Sequence, residues 1–351
     1  MIILLKKLWI IRKLWMGYFG VILFLHVSGF LLLLSYSKTN PALWGMGLLA
    51  YSFGLRHAFD ADHIAAIDNS VRKMIYAKGS PYGVGFYFSL GHSSVVFLLV
   101  MLVTLSVRWI HHLPRVQEIG ETIGLISSGS FLLFIGLANL VVLFNLLKVL
   151  MKMRKFNYDD NEIETLQKKR GLLTHLITPF FRFISKSWHV YPLGFLFGLG
   201  FDTATEVGLL AISATTVQSS DSMISILSLP LLFAAGMSLM DTADGIFMTS
   251  AYNWALSTPF RKIYYNLSVT SISVAAAFII GGIELLQIFV KNSSWTNSFS
   301  TWVRNIEFGN MGYFLVALFI FAWILSIIIW KLWGSKNTLH IKDSDSSNGN
   351  Y

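Results

Sequence analysis

The chain contains no cysteine. It therefore has no disulfides and no thiolate ligands, and any metal it binds must be held by imidazole, carboxylate, hydroxyl, carbonyl or thioether groups. Charge is scarce as well. Asp, Glu, Lys and Arg make up 13% of 351 residues, about half the usual share for a soluble globular protein. Mean hydropathy is +0.61. The deficit runs along the whole length and places the chain in a bilayer. No H-E-x-x-H and no Walker A motif occurs, so an intramembrane metalloprotease and ATP hydrolysis by that route are not expected. A net charge of +9 raises the thought of nucleic acid. The bases lie between apolar stretches and form no single patch, so no nucleic-acid partner is expected.

The expected fold is all-α, a polytopic membrane protein of eight transmembrane helices. Eight stretches are long enough to cross ~30 Å of hydrocarbon: 17–35, 44–68, 82–108, 121–150, 191–217, 227–252, 267–290 and 311–333. The first has no small-residue cleavage site after it and is expected to be a span, not a signal peptide. Residues 1–16 then form an N-terminal arm, 17–333 the transporter domain with a linker at about 151–190, and 334–351 a disordered polar tail. Of the Lys and Arg residues, 20 fall in the arm, the even-numbered loops and the tail, and 5 in the odd loops. That asymmetry places both termini in the cytoplasm of a multi-pass cell-membrane protein. Arg72 and Lys73 are counted here as bases of the second loop.

Polar groups inside the apolar spans carry the chemistry. The second span reads FGLRHAFDADHIAAID, with Arg56, His57, Asp60, Asp62 and His63. The third carries His92, the fifth Asp202 and Glu206, and the sixth Asp241 and Asp244. A charged group at mid-membrane costs roughly 2.5–3.5 kcal/mol, so six carboxylates cost about 15–20 kcal/mol, more than a typical domain's net stability. Arg56 neutralises at most one. The remainder must face water, a proton, a cation or one another, and such a surplus attracts a cation. Asp202 and Glu206 share one helix face, as do Asp241 and Asp244. His57, Asp60 and His63 fall within a 120° sector, whereas Asp62 points elsewhere on a regular helix. Either Asp62 pairs with another helix, or the second span is broken, as Gly54, Gly198 and Gly200 would permit.

Other polar groups have plainer explanations. His26 in the first span reads first as a packed, hydrogen-bonded residue. Glu284 reads as interfacial, and His111 and His112 as solvated. The 12 Met and 28 Phe read as packing and lipid-facing residues. An internal match adds a candidate inverted repeat. Phe53-Gly54-Leu55 recurs as Phe197-Gly198-Leu199 at an offset of 144, which brings Asp62 onto Glu206, and Gly91 falls on Gly236 at 145. The copies lie three spans apart, an odd number, so they would run antiparallel.

At these residues the sequence resembles the nickel/cobalt transporter family, NiCoT. The resemblance rests on H-x4-D-H from His57 to Asp62-His63, on LGHSSVV (90–96), LGFDTATE (199–206) and GMSLMDTAD (236–244). It covers about 17–333. It implies uptake of Ni(II), Co(II) or both, as cargo with no resident cofactor. It implies ligand roles for His57, Asp62 and His63, supporting roles for His92, Asp202, Glu206, Asp241 and Asp244, and a link between His26 and metal preference. The notable donors here are imidazole and carboxylate, which suit borderline divalent ions in general. They leave open a permease for zinc or manganese; His92 counts with the metal donors, and Asp60 and His26 with the supporting cation pathway. A membrane acyltransferase using His57-x4-Asp62 is the enzyme alternative, and it leaves His63, His92 and four further carboxylates unexplained. A metal sensor would need a soluble output domain, and none is legible. Oligomeric state is not legible either.

Overall fold

The computed structural model describes residues 2–37, 41–76, 79–105, 113–155, 185–200, 208–209, 213, 226–255, 259–293, 295, 297–306 and 309–329. Its elements, in order, are α1 (Ile2–Ser37), α2 (Ala42–His57), α3 (Ala61–Tyr76), α4 (Val84–Leu105) and α5 (Leu113–Lys155). A 3₁₀ turn (Ser187–Val190) leads into α6 (Tyr191–Gly198). There follow α7 (Ser228–Ala255), α8 (Pro259–Lys291), α9 (Ser298–Arg304) and α10 (Gly309–Ile329). Among the described residues the elements are helical throughout, as the composition requires. In hydrocarbon a helix satisfies every backbone polar group within the segment.

Five helices are long and apolar enough to cross a membrane: Met16–Ser35, Val84–Leu102, Glu118–Phe144, Ser228–Asn253 and Leu267–Lys291. They match the first, third, fourth, sixth and seventh expected spans. Within α10 the apolar stretch is the shorter Gly312–Ala322. Most of the fifth span, the linker and the tail lie outside the described residues.

The second span is not one helix. It divides into α2 and α3 at residues 58–60, which answers the question the histidine and aspartate spacing left open. The backbone tightens there: Phe59 N–H donates to Arg56 O at 3.0 Å and Asp60 N–H to His57 O at 2.9 Å. Asp60 then accepts from Ile64 N–H at 3.2 Å as α3 begins. Gly54 is not at the break. It lies against the backbone of Phe233 on α7, where an added Cβ would overlap the Phe233 carbonyl oxygen. α6 ends with the same pattern, Leu199 N–H to Leu196 O at 3.3 Å and Gly200 N–H to Phe197 O at 2.9 Å.

Two helix pairs make reciprocal backbone contacts. On the α2–α7 pair, Gly54 meets Phe233 and Gly236 meets Tyr51 and Leu55. On the α6–α4 pair, Gly194 meets Phe88 and Gly91 meets Tyr191 and Phe195. Only glycine lets two backbones approach this closely. α3 sits at the centre, packed on α5, α7, α8 and α10, and its apolar face (Ile64, Ala65, Ile67, Val71 and Met74) is fully buried. α1 instead exposes Phe19, Leu23, Phe24, Leu31 and Leu34. An outer surface so apolar fits lipid rather than water.

One sequence reading is corrected here. Arg72 and Lys73 do not lie in a loop. Both are on α3, and Arg72 is 1% exposed. Its partners explain the burial: Asp68 Oδ2 at 3.4 Å, Val269 O at 3.1 Å, and the hydroxyls of Tyr252 and Ser273. Tyr252 also donates to Asp68 at 2.5 Å, so one buried pair ties α3 to α7 and α8. Glu284, near the end of its helix, is also buried inside the bundle. It is 1% exposed and accepts a 2.6 Å hydrogen bond from Ser128 across the α5–α8 contact.

Candidate metal site

The break in the second span puts His57 at the last turn of α2 and His63 in the first turns of α3, so the chain presents both from one corner. α4 supplies His92 opposite them. The three side chains offer ligand atoms that all lie within 4.8 Å of one another, and all three residues are buried. Ring centroids are 4.6 Å apart for His57–His63, 4.7 Å for His57–His92 and 4.8 Å for His63–His92. His57 Nε2 and His92 Nε2 are separated by 3.0 Å. Two nitrogens bound at about 2.1 Å to one ion, at a right angle, would be about 3.0 Å apart. The spacing therefore suits two neighbouring ligands of one metal.

Carboxylates surround the cluster. Asp60 Oδ2 is 2.9 Å from His57 Nδ1, an ion-pair approach without hydrogen-bond alignment. The carboxylate lies on the Nδ1 side of the ring, and Nε2 is the nitrogen that faces His92. Asp241, on α7, brings Oδ2 to 3.5 Å from His63 Nδ1. Among the described residues, neither nitrogen of His63 and neither oxygen of Asp241 has a hydrogen-bond partner. Buried polar atoms of this kind normally find one, so the pair is poised for a cation. Phe88 and Phe233 wall the cluster, against His63 and His57 respectively.

The remaining sequence candidates fall as follows. Asp62 lies in the first turn of α3 and is not part of the three-histidine group. Asp244 is one turn beyond Asp241 on α7, and its Oδ2 has no hydrogen-bond partner among the described residues. Arg56 is exposed. His26 is held apart on α1, with Nδ1 2.8 Å from Ile22 O and Nε2 3.2 Å from the Tyr51 hydroxyl, the packed role expected of it from sequence. Asp202 and Glu206 lie outside the described residues. Sequence reasoning passed over Asp68, although its i,i+4 spacing to Arg72 was the available signal.

Comparison with known proteins adds the following. A family model, NicO, described as high-affinity nickel-transport protein, matches residues 43–329. The nickel transporter NixA of Staphylococcus aureus is 52% identical over 321 residues, covering 91% of this chain and 95% of that protein. The high-affinity nickel-transport protein NixA of Helicobacter pylori (strain 26695) is 48% identical over 331 residues, 92% of this chain and 99% of that one. The cobalt transport protein NhlF of Rhodococcus rhodochrous is 40% identical over 328 residues, 91% of this chain and 92% of that one. No solved structure matches the chain.

Proposed function

The chain belongs to the family of high-affinity nickel-transport proteins, and on that footing we propose that it takes up Ni(II), with Co(II) as related cargo, through the buried histidine cluster. The observation that carries this reading is three buried imidazoles with ligand atoms within 4.8 Å inside an apolar bundle. The metal is cargo, not a resident cofactor, and the chain is a permease, not an enzyme. The acyltransferase alternative is not favoured.

In this reading His57, His63 and His92 are ligands, and Asp62 joins them when the ion arrives. Asp60 and Asp241 orient the imidazoles and offset the ion's charge. Asp244, Asp202 and Glu206 extend the acidic path. His26 acts at a distance, through Tyr51 and the packing of α2. Membrane potential alone favours inward movement of a divalent ion by about 4.6 kcal/mol per 100 mV.

The topology proposed is eight crossings in the cell membrane with cytoplasmic termini. Residues 1–16 are an arm, 17–333 the transporter domain with its linker at about 151–190, and 334–351 a tail. The Lys/Arg asymmetry supports it, and moving Arg72 and Lys73 out of the loops leaves the bias in place. The reciprocal glycine contacts support the inverted repeat, with one change of register. Gly54, Tyr51 and Leu55 correspond to Gly194, Tyr191 and Phe195 at an offset of 140, while Phe88 and Gly91 correspond to Phe233 and Gly236 at 145. The paired backbone bonds at the ends of α2 and α6 obey the same 140 offset. Asp62 then corresponds to Asp202, one turn from the Glu206 given by the Phe-Gly-Leu match.

The test is uptake of radioactive nickel and cobalt into cells or proteoliposomes, with zinc and manganese as competitors. Saturable nickel uptake that cobalt inhibits more strongly than zinc or manganese is expected. Uptake of zinc or manganese in preference to nickel overturns the assignment.

A further inference from the structure

We propose that Phe88 and Phe233 are the two gates of the histidine site, one toward each side of the membrane. The proposal rests on the transport reading above and adds the residues that close the path. Both rings are fully buried, and each covers a different histidine. Phe88 meets His63 edge-on, with centroids 4.8 Å apart and planes at 89°. Phe233 lies 5.7 Å from His57, tilted by 39°.

Their placement gives each ring its side. α4 and α7 run antiparallel through the centre. Ser89 Oγ bonds Ser238 Oγ at 3.0 Å, and Gly85 lies against Asp241 further down the pair. Phe88 precedes Gly91 by three residues, and Phe233 precedes Gly236 by three. Three residues are about 4.5 Å of helix rise. The Ser89–Ser238 contact sets Gly91 level with Gly236, so on these antiparallel helices the two displacements point in opposite directions and His92, next to Gly91, falls between the levels of the two rings. A hydrated cation does not pass a packed phenyl ring, so each ring closes the site on its own side.

Each gate also has its own hinge. The backbone of Phe233 rests on Gly54 of α2, and that of Phe88 on Gly194 of α6. At each glycine the two backbones touch with no side chain between them, which makes these the pivot points of each helix pair, while Phe233 packs with Ala50 and Met237 and Phe88 with Phe197. Separation of α2 from α7 releases the Phe233 ring. Separation of α6 from α4 releases the Phe88 ring. The two movements are equivalent and independent, which lets one gate open while the other stays shut.

The absence of cysteine makes the test direct. Ser93, next to His92, is buried, and its hydroxyl has no hydrogen-bond partner among the described residues. A Ser93→Cys reporter is exposed to a small impermeant thiol reagent in intact cells and in inverted vesicles. Alone it should label slowly from both sides. Adding Phe233→Ala should speed labelling from one side only, and adding Phe88→Ala from the other side only. A rise of about tenfold or more is expected, as when a minor open population near 1% grows to about 10%. Faster labelling from the same side in both variants, or no change in either, overturns the proposal. Phe233→Leu and Phe88→Leu, which retain bulk, serve if an alanine variant does not reach the membrane, with the same opposite sidedness expected. A change in packing alone does not select a side. Labelling needs no nickel, so a failure of nickel uptake by the reporter chain counts against the transport reading and leaves the gates to be judged by sidedness.

Discussion

At the scale of single residues, carboxylates lie beside the imidazoles of the proposed site, Asp60 by His57 and Asp241 by His63. His57 Nδ1 faces Asp60 at 2.9 Å, which leaves Nε2 toward His92 Nε2 at 3.0 Å. Asp60→Asn keeps the shape and removes the charge. It should weaken nickel binding by about 10–100-fold, the usual effect of losing a group that orients a metal ligand, as read by equilibrium binding to purified protein. His63→Ala should abolish nickel uptake while the protein remains in the membrane; normal uptake would remove His63 from the ligand set. Asp241 is a sharper case because its oxygens have no hydrogen-bond partner among the described residues. If it only held the fold, Asp241→Asn would relieve a buried charge and leave transport intact. Reduced initial uptake at normal protein level is expected, and a wild-type concentration curve would refute its role.

At the scale of elements, α3 adds to its buried apolar face a set of polar contacts that its own sequence does not announce. Asp68 and Arg72 are one turn apart, so a helix aligns them, and a loop reading of Arg72 misses that. Their burial depends on Tyr252 and Ser273, which come from α7 and α8, far along the chain. Arg72→Leu leaves the Asp68 charge buried beside two hydroxyls, and removal of one partner of a buried pair costs ~3–5 kcal/mol. The melting temperature in detergent should fall markedly. Adding Asp68→Asn to Arg72→Leu should recover part of the loss, because the orphaned charge is gone. If the double variant melts no higher than Arg72→Leu, the pair is not the element that ties α3 in place.

At the scale of the whole molecule, the proposed orientation rests on the bias of Lys and Arg toward one side of the membrane. A cysteine at Ser187 should resist impermeant thiol reagents in intact cells, and one at Ser220 should react; the reverse pattern would invert the topology. The antiparallel α4–α7 pair and the reciprocal glycine contacts then have a use. In the gating proposed above, they would let one site be served from two sides. The membrane domain is therefore organised around the corner between α2 and α3, where a helix gives up continuity to present two histidines together.

Composition, hydropathy and charge placement were enough to read an all-helical membrane protein. The motifs built on the clustered histidines and aspartates were enough to read the family, and they pointed to histidines that the fold does bring together. These properties are local or additive along the chain, so they survive without knowledge of its path. Three-dimensional packing decided the rest. The sequence left two outcomes for the second span, and backbone hydrogen bonds at Arg56–Asp60 selected the break. His92 joins His57 because α4 crosses that break, not because of the 35 residues between them. Arg72 and Glu284 are buried because distant helices bring them hydroxyl partners. Such facts depend on helix crossings, which arise from steric contacts between segments far apart in sequence, and a linear pattern carries no measure of them.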